Sequence, residues 1–356
     1  MDYYRRKWVL FLITGIFVFV SVLGIMGGFT IIYAKKRREA QEEKRAKGVS
    51  VYGALRVEEG RLYGKENEPV VLRGASSHGI SWYPRYLNGE AMKTLAGYGA
   101  NLHRLSMYPE GESGYVNSPR ENMDYLYMGI ESARSADMYI IVDWHILRDH
   151  NPLIYADEAE AFFDELSRHY QDAPDIIYEI CNEPNQDTSW EDVYEYAMRM
   201  IPVIRKNAPN ALILVGTPDF CTDFEGPMKK PLDYPNIMYT LHRYVDASEE
   251  KPCDIDLIRK VTQTGLPVFV SEWGIELGEE EFSPDKKIYP ENARPLLDYM
   301  DEQKISWAAW ALSNKEEVHS ILRSDCEKYG GWIQEDMSDF GKFFFEELKK
   351  NKERKK

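Results

Sequence analysis

Two glutamates stand out for the residues that surround them. Glu183 lies near the end of the run Ile176–Asn185 (IIYEICNEPN), and Glu272 near the end of 267–274 (PVFVSEWG). In each, an apolar run delivers a carboxylate at its C-terminal end. Pro184 cannot continue a central strand, so Glu183 is expected at the lip of a sheet rather than within it. Two carboxylates that face one another can divide labour, one attacking as nucleophile while the other gives and takes a proton. For double displacement at an acetal carbon they stand about 5–5.5 Å apart; about 6.5–9.5 Å leaves room for a water and gives inversion.

A fold must bring these groups together. Short apolar runs recur at 70–77, 101–108, 138–146, 176–183, 211–217, 237–244, 267–274 and 306–313. Helical patterns separate them, as in 158–171 and 190–206, with apolar residues at i, i+3, i+4 and i+7. Eight strand–helix units predict an α/β fold, a closed (β/α)8 TIM barrel. No glycine-rich dinucleotide or phosphate loop is present, which disfavours an open doubly wound sheet. Residues 55–74 alternate and turn at Glu59-Gly60 and Glu66-Asn67, predicting a short β-hairpin that leads into the barrel.

Barrel active sites are built from strand C-termini. The fourth and seventh strands lie across the mouth from one another, which sets Glu183 facing Glu272. Other strand ends supply Ser76-Ser77-His78, Arg104 with Tyr108, Asp143-Trp144-His145, Asn182, His242 with Tyr244, and Trp310. A nearby cation favours an ionised carboxylate, so Arg104 suits Glu272. Tyr244 can donate a hydrogen bond to the nucleophile, and Asn182 can meet a sugar 2-hydroxyl. His145 and His242 can orient substrate hydroxyls and tune the acid. Glu179 shares a face with Glu183 but lies four residues, about 13 Å, deeper, so it is expected as a hydrogen-bonded interior residue. His103 points to the opposite face from Arg104. His150, His169 and His319 show no pairing pattern, and no metal spacing emerges from His145, His242 and the carboxylates.

The formal charge is −15, unevenly spread: residues 1–48 hold ten Lys/Arg against four Asp/Glu, leaving 34 against 55 in the remainder. So acidic a body repels polyphosphate, which argues against nucleic acid as a partner and leaves neutral polysaccharide unaffected. The four cysteines, Cys181, Cys221, Cys253 and Cys326, are far apart and read as buried thiols or at most one disulfide.

Trp8 to Tyr33 is 26 residues without a charge, about 39 Å as a helix and long enough to cross a bilayer. With no good cleavage site, an uncleaved transmembrane helix at 8–33 is expected. The organisation is then a membrane anchor at 1–34, a charged linker at 35–50, a catalytic domain at 51–348 and a basic tail at 349–356. Basic residues flank the span on both sides, so the positive-inside rule leaves orientation open. A polysaccharide substrate places the catalytic domain outside the cell, or secreted if the segment is removed.

With these residues assembled, the chain resembles glycoside hydrolase family 5, in its bacterial endo-β-1,4-glucanase branch, over roughly residues 55–345. The likeness is carried in order by LRGASSHGISWYP, RLSMY, VDWHILRDHNP, YEICNEPN, LHRY, VSEWG and WALSNKEE. The resemblance implies Glu183 as acid/base and Glu272 as nucleophile, supported by Arg104, His145, Asn182, His242 and Tyr244. It also implies His78, Trp82, Tyr108, Trp310, Lys315 and Glu317 as glucose-binding residues. It implies no cofactor, water as second substrate and a monomeric catalytic domain. Phe220 stands where a tryptophan is usual, and Ala311 and Asn314 depart from the final motif. These bear on substrate preference, so a β-mannanase, xylanase or mixed-linkage glucanase is the alternative. An inert membrane-tethered glycan-binding protein is the rival from another class, disfavoured by the presence of both glutamates.

Overall fold

The computed structural model describes residues 46–353, apart from 172, 279–280 and 284–285. The expected membrane helix at 8–33 and most of the charged linker lie outside the described residues. Among the described residues no helix is long and apolar enough to cross a membrane.

Eight parallel strands close a barrel: β4 (Arg73–Ser77), β5 (Leu102–Met107), β6 (Tyr139–Trp144), β7 (Ile176–Glu179), β8 (Leu212–Gly216), β9 (Ile237–Asp246), β10 (Val268–Glu276) and β11 (Trp307–Leu312). Every strand pairs with its sequence neighbours, and β11 closes on β4 with Trp307 opposite Arg73. The predicted runs are these eight strands. The fourth is shorter than expected, because β7 ends at Glu179 and not at Glu183. Beyond it Asn182 N–H donates to Trp144 O at 3.1 Å, so the loop still leans on β6.

The helices form where their caps and apolar faces dictate. Ser189 and Asp192 make a reciprocal capping box at the start of the helix Trp190–Asn207, satisfying N–H groups the first turn leaves unpaired. That helix buries Val193, Ala197, Met200, Ile201 and Ile204, spaced to fall on one face.

Two apolar layers result. The larger fills the space between strands and helices. The smaller joins Leu102, Tyr139, Ile141, Ile177, Leu212, Leu214, Met238 and Phe269 with Leu55, Leu62 and Val70 from below. Two residues further up, period-2 alternation replaces apolar interior residues with polar ones: Ile141 is followed by Asp143, Ile177 by Glu179 and Phe269 by Ser271, all fully buried. The barrel therefore has a greasy base and a charged floor beneath its mouth.

The entry to the domain is larger than expected. The hairpin β1 (Arg56–Glu58) and β2 (Arg61–Tyr63) gains a third antiparallel strand, β3 (Pro69–Val70). Its turns fall at Glu59-Gly60 and at Asn67, all with positive φ. Residues 46–50, assigned to the linker from sequence, belong to the domain. Ser50 binds Asp137 through both N–H (2.8 Å) and Oγ (2.7 Å), and Asn101 donates to Lys47 O at 3.0 Å. At the other end the helix Asp339–Glu353 continues into the expected basic tail, where Lys350 pairs with Glu347. All four cysteines are free thiols.

Candidate active site

Arg104 organises the floor. It is fully buried, and its guanidinium spreads three nitrogens among groups from three other strands and the β7 loop. Nε donates to Glu179 Oε2 at 2.6 Å, Nη1 to Glu272 Oε2 at 2.9 Å, and Nη2 to Asn182 Oδ1 at 2.6 Å, with Asp143 Oδ2 at 3.0 Å from Nη2. A planar fork is the donor that can meet several carboxylates at once. Burial works against the cation, but the charges of Asp143, Glu179 and Glu272 raise its pKa further still. In return Arg104 overcomes the burial of Glu179 and holds that carboxyl down at about 2.

Glu272 receives a donor on each oxygen, Arg104 on Oε2 and the Tyr244 hydroxyl on Oε1 at 2.7 Å. Tyr244 can pass so close because β10 carries Gly274: a Cβ there would stand 2.8 Å from the Tyr244 ring. Glu183 has one partner on Oε1, His242 Nδ1 at 2.8 Å. Its loop is propped from β8. Gly216 lets that strand approach, since a Cβ there would meet Asn182 O at 2.6 Å. Cys221 Sγ donates to Asn182 O at 2.9 Å and Phe220 N–H to Pro184 O at 3.1 Å. The propping segment Asp219-Phe220-Cys221 is left-handed throughout, with φ of 54°, 55° and 61°. Each such non-glycine residue costs about 1–2 kcal/mol, so the loops beside Glu183 bear strain that the surrounding hydrogen bonds offset.

The two carboxylates meet. One oxygen of Glu183, one of Glu272 and one ring nitrogen of His242 all lie within 4.8 Å of one another. The cluster has the donor types of a metal site, but His242 is poorly suited to ligation. Both its nitrogens are engaged, Nδ1 with Glu183 and Nε2 with Ser271 Oγ at 3.0 Å. Burial opposes its charge, yet the charge of Glu272 and the carboxylates of Glu179, 3.9 Å from Nε2, and Glu183, 2.8 Å from Nδ1, raise its pKa to about 10. An imidazolium has no lone pair for a cation.

His145 is the opposite case. Burial and the Arg104 charge push it down to about 3, so it is a neutral ring. Nδ1 donates to Asp143 Oδ2 at 2.5 Å, and Nε2 accepts from Asn182 Nδ2 at 3.3 Å. Asn182 also donates to Ile146 O at 3.0 Å. Both its amide hydrogens are thus taken, and contact with a sugar 2-hydroxyl requires one of these bonds to be exchanged.

Above the floor lies a cavity of about 420 Å³, lined by ten of the thirteen residues singled out from sequence: His78, Trp82, Tyr108, His145, Glu183, Tyr244, Glu272, Trp310, Lys315 and Glu317. Arg104, Asn182 and His242 sit beneath it. The rings form a continuous arc: Trp82 to Tyr108 at 4.5 Å, Tyr108 to His145 at 4.2 Å, and His145 stacked on Trp310 at 5.1 Å. Trp82 remains 47% exposed, a flat apolar plane open to a ligand. Glu317 is pulled down to about 2, its burial outweighed by His319 and Lys315, with Lys315 Nζ at 2.5 Å and His319 Nε2 at 3.3 Å.

Sequence reasoning missed four participants. Asp143 appeared at a strand end without a role; Glu179 is the hydrogen-bonded interior residue expected, but its link to the site was missed; both touch Arg104. Ser271 bridges His242 and Glu179. His319, without any spacing pattern, lines the cavity beside Glu317 and packs its ring 5.6 Å from Tyr244. An aspartate inside a strand as buried as YIIVDW was the one available signal, since such a charge must find a partner.

A parallel barrel whose mouth holds two facing carboxylates and an arc of aromatic rings is built for hydrolysing glycosidic bonds. The chain matches the model of the cellulase family, glycosyl hydrolase family 5, across residues 63–316. It is 39% identical to endoglucanase A of Butyrivibrio fibrisolvens over 303 residues, 83% of this chain and 69% of that protein. It is 36% identical to an endoglucanase of Clostridium saccharobutylicum, spanning 82% of this chain but 64% of that protein. A catalytic-domain variant of Thermobifida fusca endoglucanase Cel5A, in complex with cellotetraose, superposes with a TM-score of 0.75 at 31% identity, covering 84% of this chain and 98% of that one. The chain belongs to glycoside hydrolase family 5.

Proposed function

We propose that this chain is a retaining endo-β-1,4-glucanase acting on cellulose-type glucans, with Glu272 as nucleophile and Glu183 as acid/base. The observation that carries this reading is that an oxygen of Glu183 and an oxygen of Glu272 lie within 4.8 Å of one another, which suits the short separation of double displacement, about 5–5.5 Å, better than the about 6.5–9.5 Å of inversion. Two donors, one on each oxygen of Glu272, fix its direction. It attacks the anomeric carbon while Glu183 protonates the departing oxygen. In the second half, Glu183 takes a proton from water, which releases the sugar from Glu272. Trp82, Tyr108 and Trp310 offer apolar planes to sugar rings, and His78, Lys315 and Glu317 offer polar partners to hydroxyls. The names of the relatives and the cellotetraose in the Cel5A structure support a β-glucan substrate.

Proton NMR of cellopentaose hydrolysis tests the mechanism. The β-anomer is expected first, and an α-anomer appearing first would refute retention. Glu272→Gln is expected to abolish turnover, and full activity in that variant would remove it as nucleophile. We further propose that residues 8–33 tether the enzyme to the membrane with the catalytic domain outside, since a polysaccharide does not cross a bilayer. Protease added to intact cells should then release the domain; resistance would place it inside.

A further inference from the structure

Two buried groups under Glu183 have no part in the mechanism above. Glu179 ends β7, four residues before Glu183, and Ser271 precedes Glu272 on β10. Both are fully buried, and Ser271 Oγ donates to Glu179 Oε1 at 2.6 Å across 92 residues of sequence. Arg104 Nε occupies the other oxygen of Glu179 at 2.6 Å.

The direction of these bonds follows from counting hydrogens. Glu179, ionised against Arg104, only accepts. A serine hydroxyl has one hydrogen, and Ser271 spends it on Glu179. Toward His242 Nε2, at 3.0 Å, Ser271 can therefore only accept, so Nε2 must carry a hydrogen. Any change of protonation in His242 is then confined to Nδ1, the nitrogen 2.8 Å from Glu183 Oε1.

We propose that Glu179, acting through Ser271, is a positioning residue that fixes the tautomer and orientation of His242 and through it serves Glu183 as acid/base. The inference rests on the reading of Glu183 given above. Other charges face His242: Glu272 from β10, Asp143 from β6, and Glu183 from the β7 loop. They favour the imidazolium, but none of them bonds Nε2. The Ser271–Glu179 pair does that alone.

Two variants and two substrates test this. Ser271→Ala removes one hydroxyl without touching Arg104, and Glu179→Gln removes the charge behind it. On cellopentaose, whose leaving group needs a proton, kcat/KM should fall about tenfold to a hundredfold in each, the scale of a buried hydrogen bond left unmade. On 2,4-dinitrophenyl β-cellobioside, whose leaving group needs none, kcat/KM should stay within about threefold of wild type for Ser271→Ala. The alkaline limb of the cellopentaose pH profile should move to lower pH, because His242 loses a group that holds its proton. Equal losses on both substrates with an unmoved pH profile would overturn the proposal, reducing the pair to fold support. Glu183→Gln is the control. If it too loses equally on both substrates, the acid/base reading itself fails. Nitrogen-15 NMR of wild-type His242 gives a measurement that no folding defect can obscure. Nε2 should stay protonated at every pH where the protein is folded, and a neutral Nδ1–H tautomer would refute the inference.

Discussion

Replacing Arg104 with lysine keeps a positive charge in the floor but removes the fork. The guanidinium reaches Glu179, Glu272 and Asn182 at 2.6, 2.9 and 2.6 Å from three different nitrogens. A single ammonium cannot stand at all three points, and at least one buried carboxylate loses its partner. Breaking a buried pair by removing one side costs about 3–5 kcal/mol, a fall in melting temperature of roughly 5–15 °C for a domain of this size. Arg104 does not line the cavity, so KM should change little. Glu272 loses one charge-assisted bond, so with Glu272 as the proposed nucleophile kcat should fall about 10- to 150-fold. Acid sensitivity supplies a third readout. Glu179 is held at about 2 by Arg104, below its ordinary 4.5. Its contribution to stability is present above the unfolded value and lost as pH falls through the folded one. Wild type should therefore weaken between about 4.5 and 2, and the lysine variant should unfold at higher pH. Calorimetry across that range, with kinetics on cellopentaose, checks all three. A variant that melts within a degree or two of wild type and keeps its kcat would refute the view that the fork, rather than the charge, organises the site.

Trp82→Ala should raise KM for cello-oligosaccharides about three- to tenfold with kcat nearly unchanged, since stacking is worth about 0.5–1.5 kcal/mol and the half-exposed ring carries little of the core. Initial rates on cellotetraose would show it; a fall confined to kcat would count against a platform role. His242 predicts a basic limb of stability. Its pKa is raised from 6.5 to about 10, so its contribution is full below the unfolded value and lost as pH rises through the folded one. Melts of wild type should decline across that window, and His242→Gln should show a shallower decline.

The eight strands were legible because each is a short apolar run closed by a polar residue, and the meeting of Glu183 with Glu272 because the fourth and seventh strands of a closed barrel lie across its mouth from one another. The missed link between Glu179 and the site has a specific cause. Its distance from the site was reckoned along an extended strand reaching Glu183, but β7 stops at Glu179, and Arg104 reaches down to it with a long side chain. Ser271 was illegible because a serine acquires meaning only from partners 29 and 92 residues away. His319 lies in the irregular segment after β11, where no period relates position to direction. Residues 46–50 read as linker because they follow the charged run at 35–45, and their anchoring to Asp137 and Asn101 depends on contacts no local pattern encodes.

The charged floor also bears on how the barrel closes. Arg104, Asp143, Glu179, His242 and Glu272 come from five strands, and their charges offset one another only when all five are in register. Sliding one strand by a single residue would turn its charged side chain outward into the apolar layer and orphan a partner left inside, at a cost of several kcal/mol. A mostly aliphatic base of Leu, Ile, Val and Phe tolerates such a slip far better. The charged residues of the floor therefore act as a registration key, rejecting near-miss closures that hydrophobic burial alone would accept.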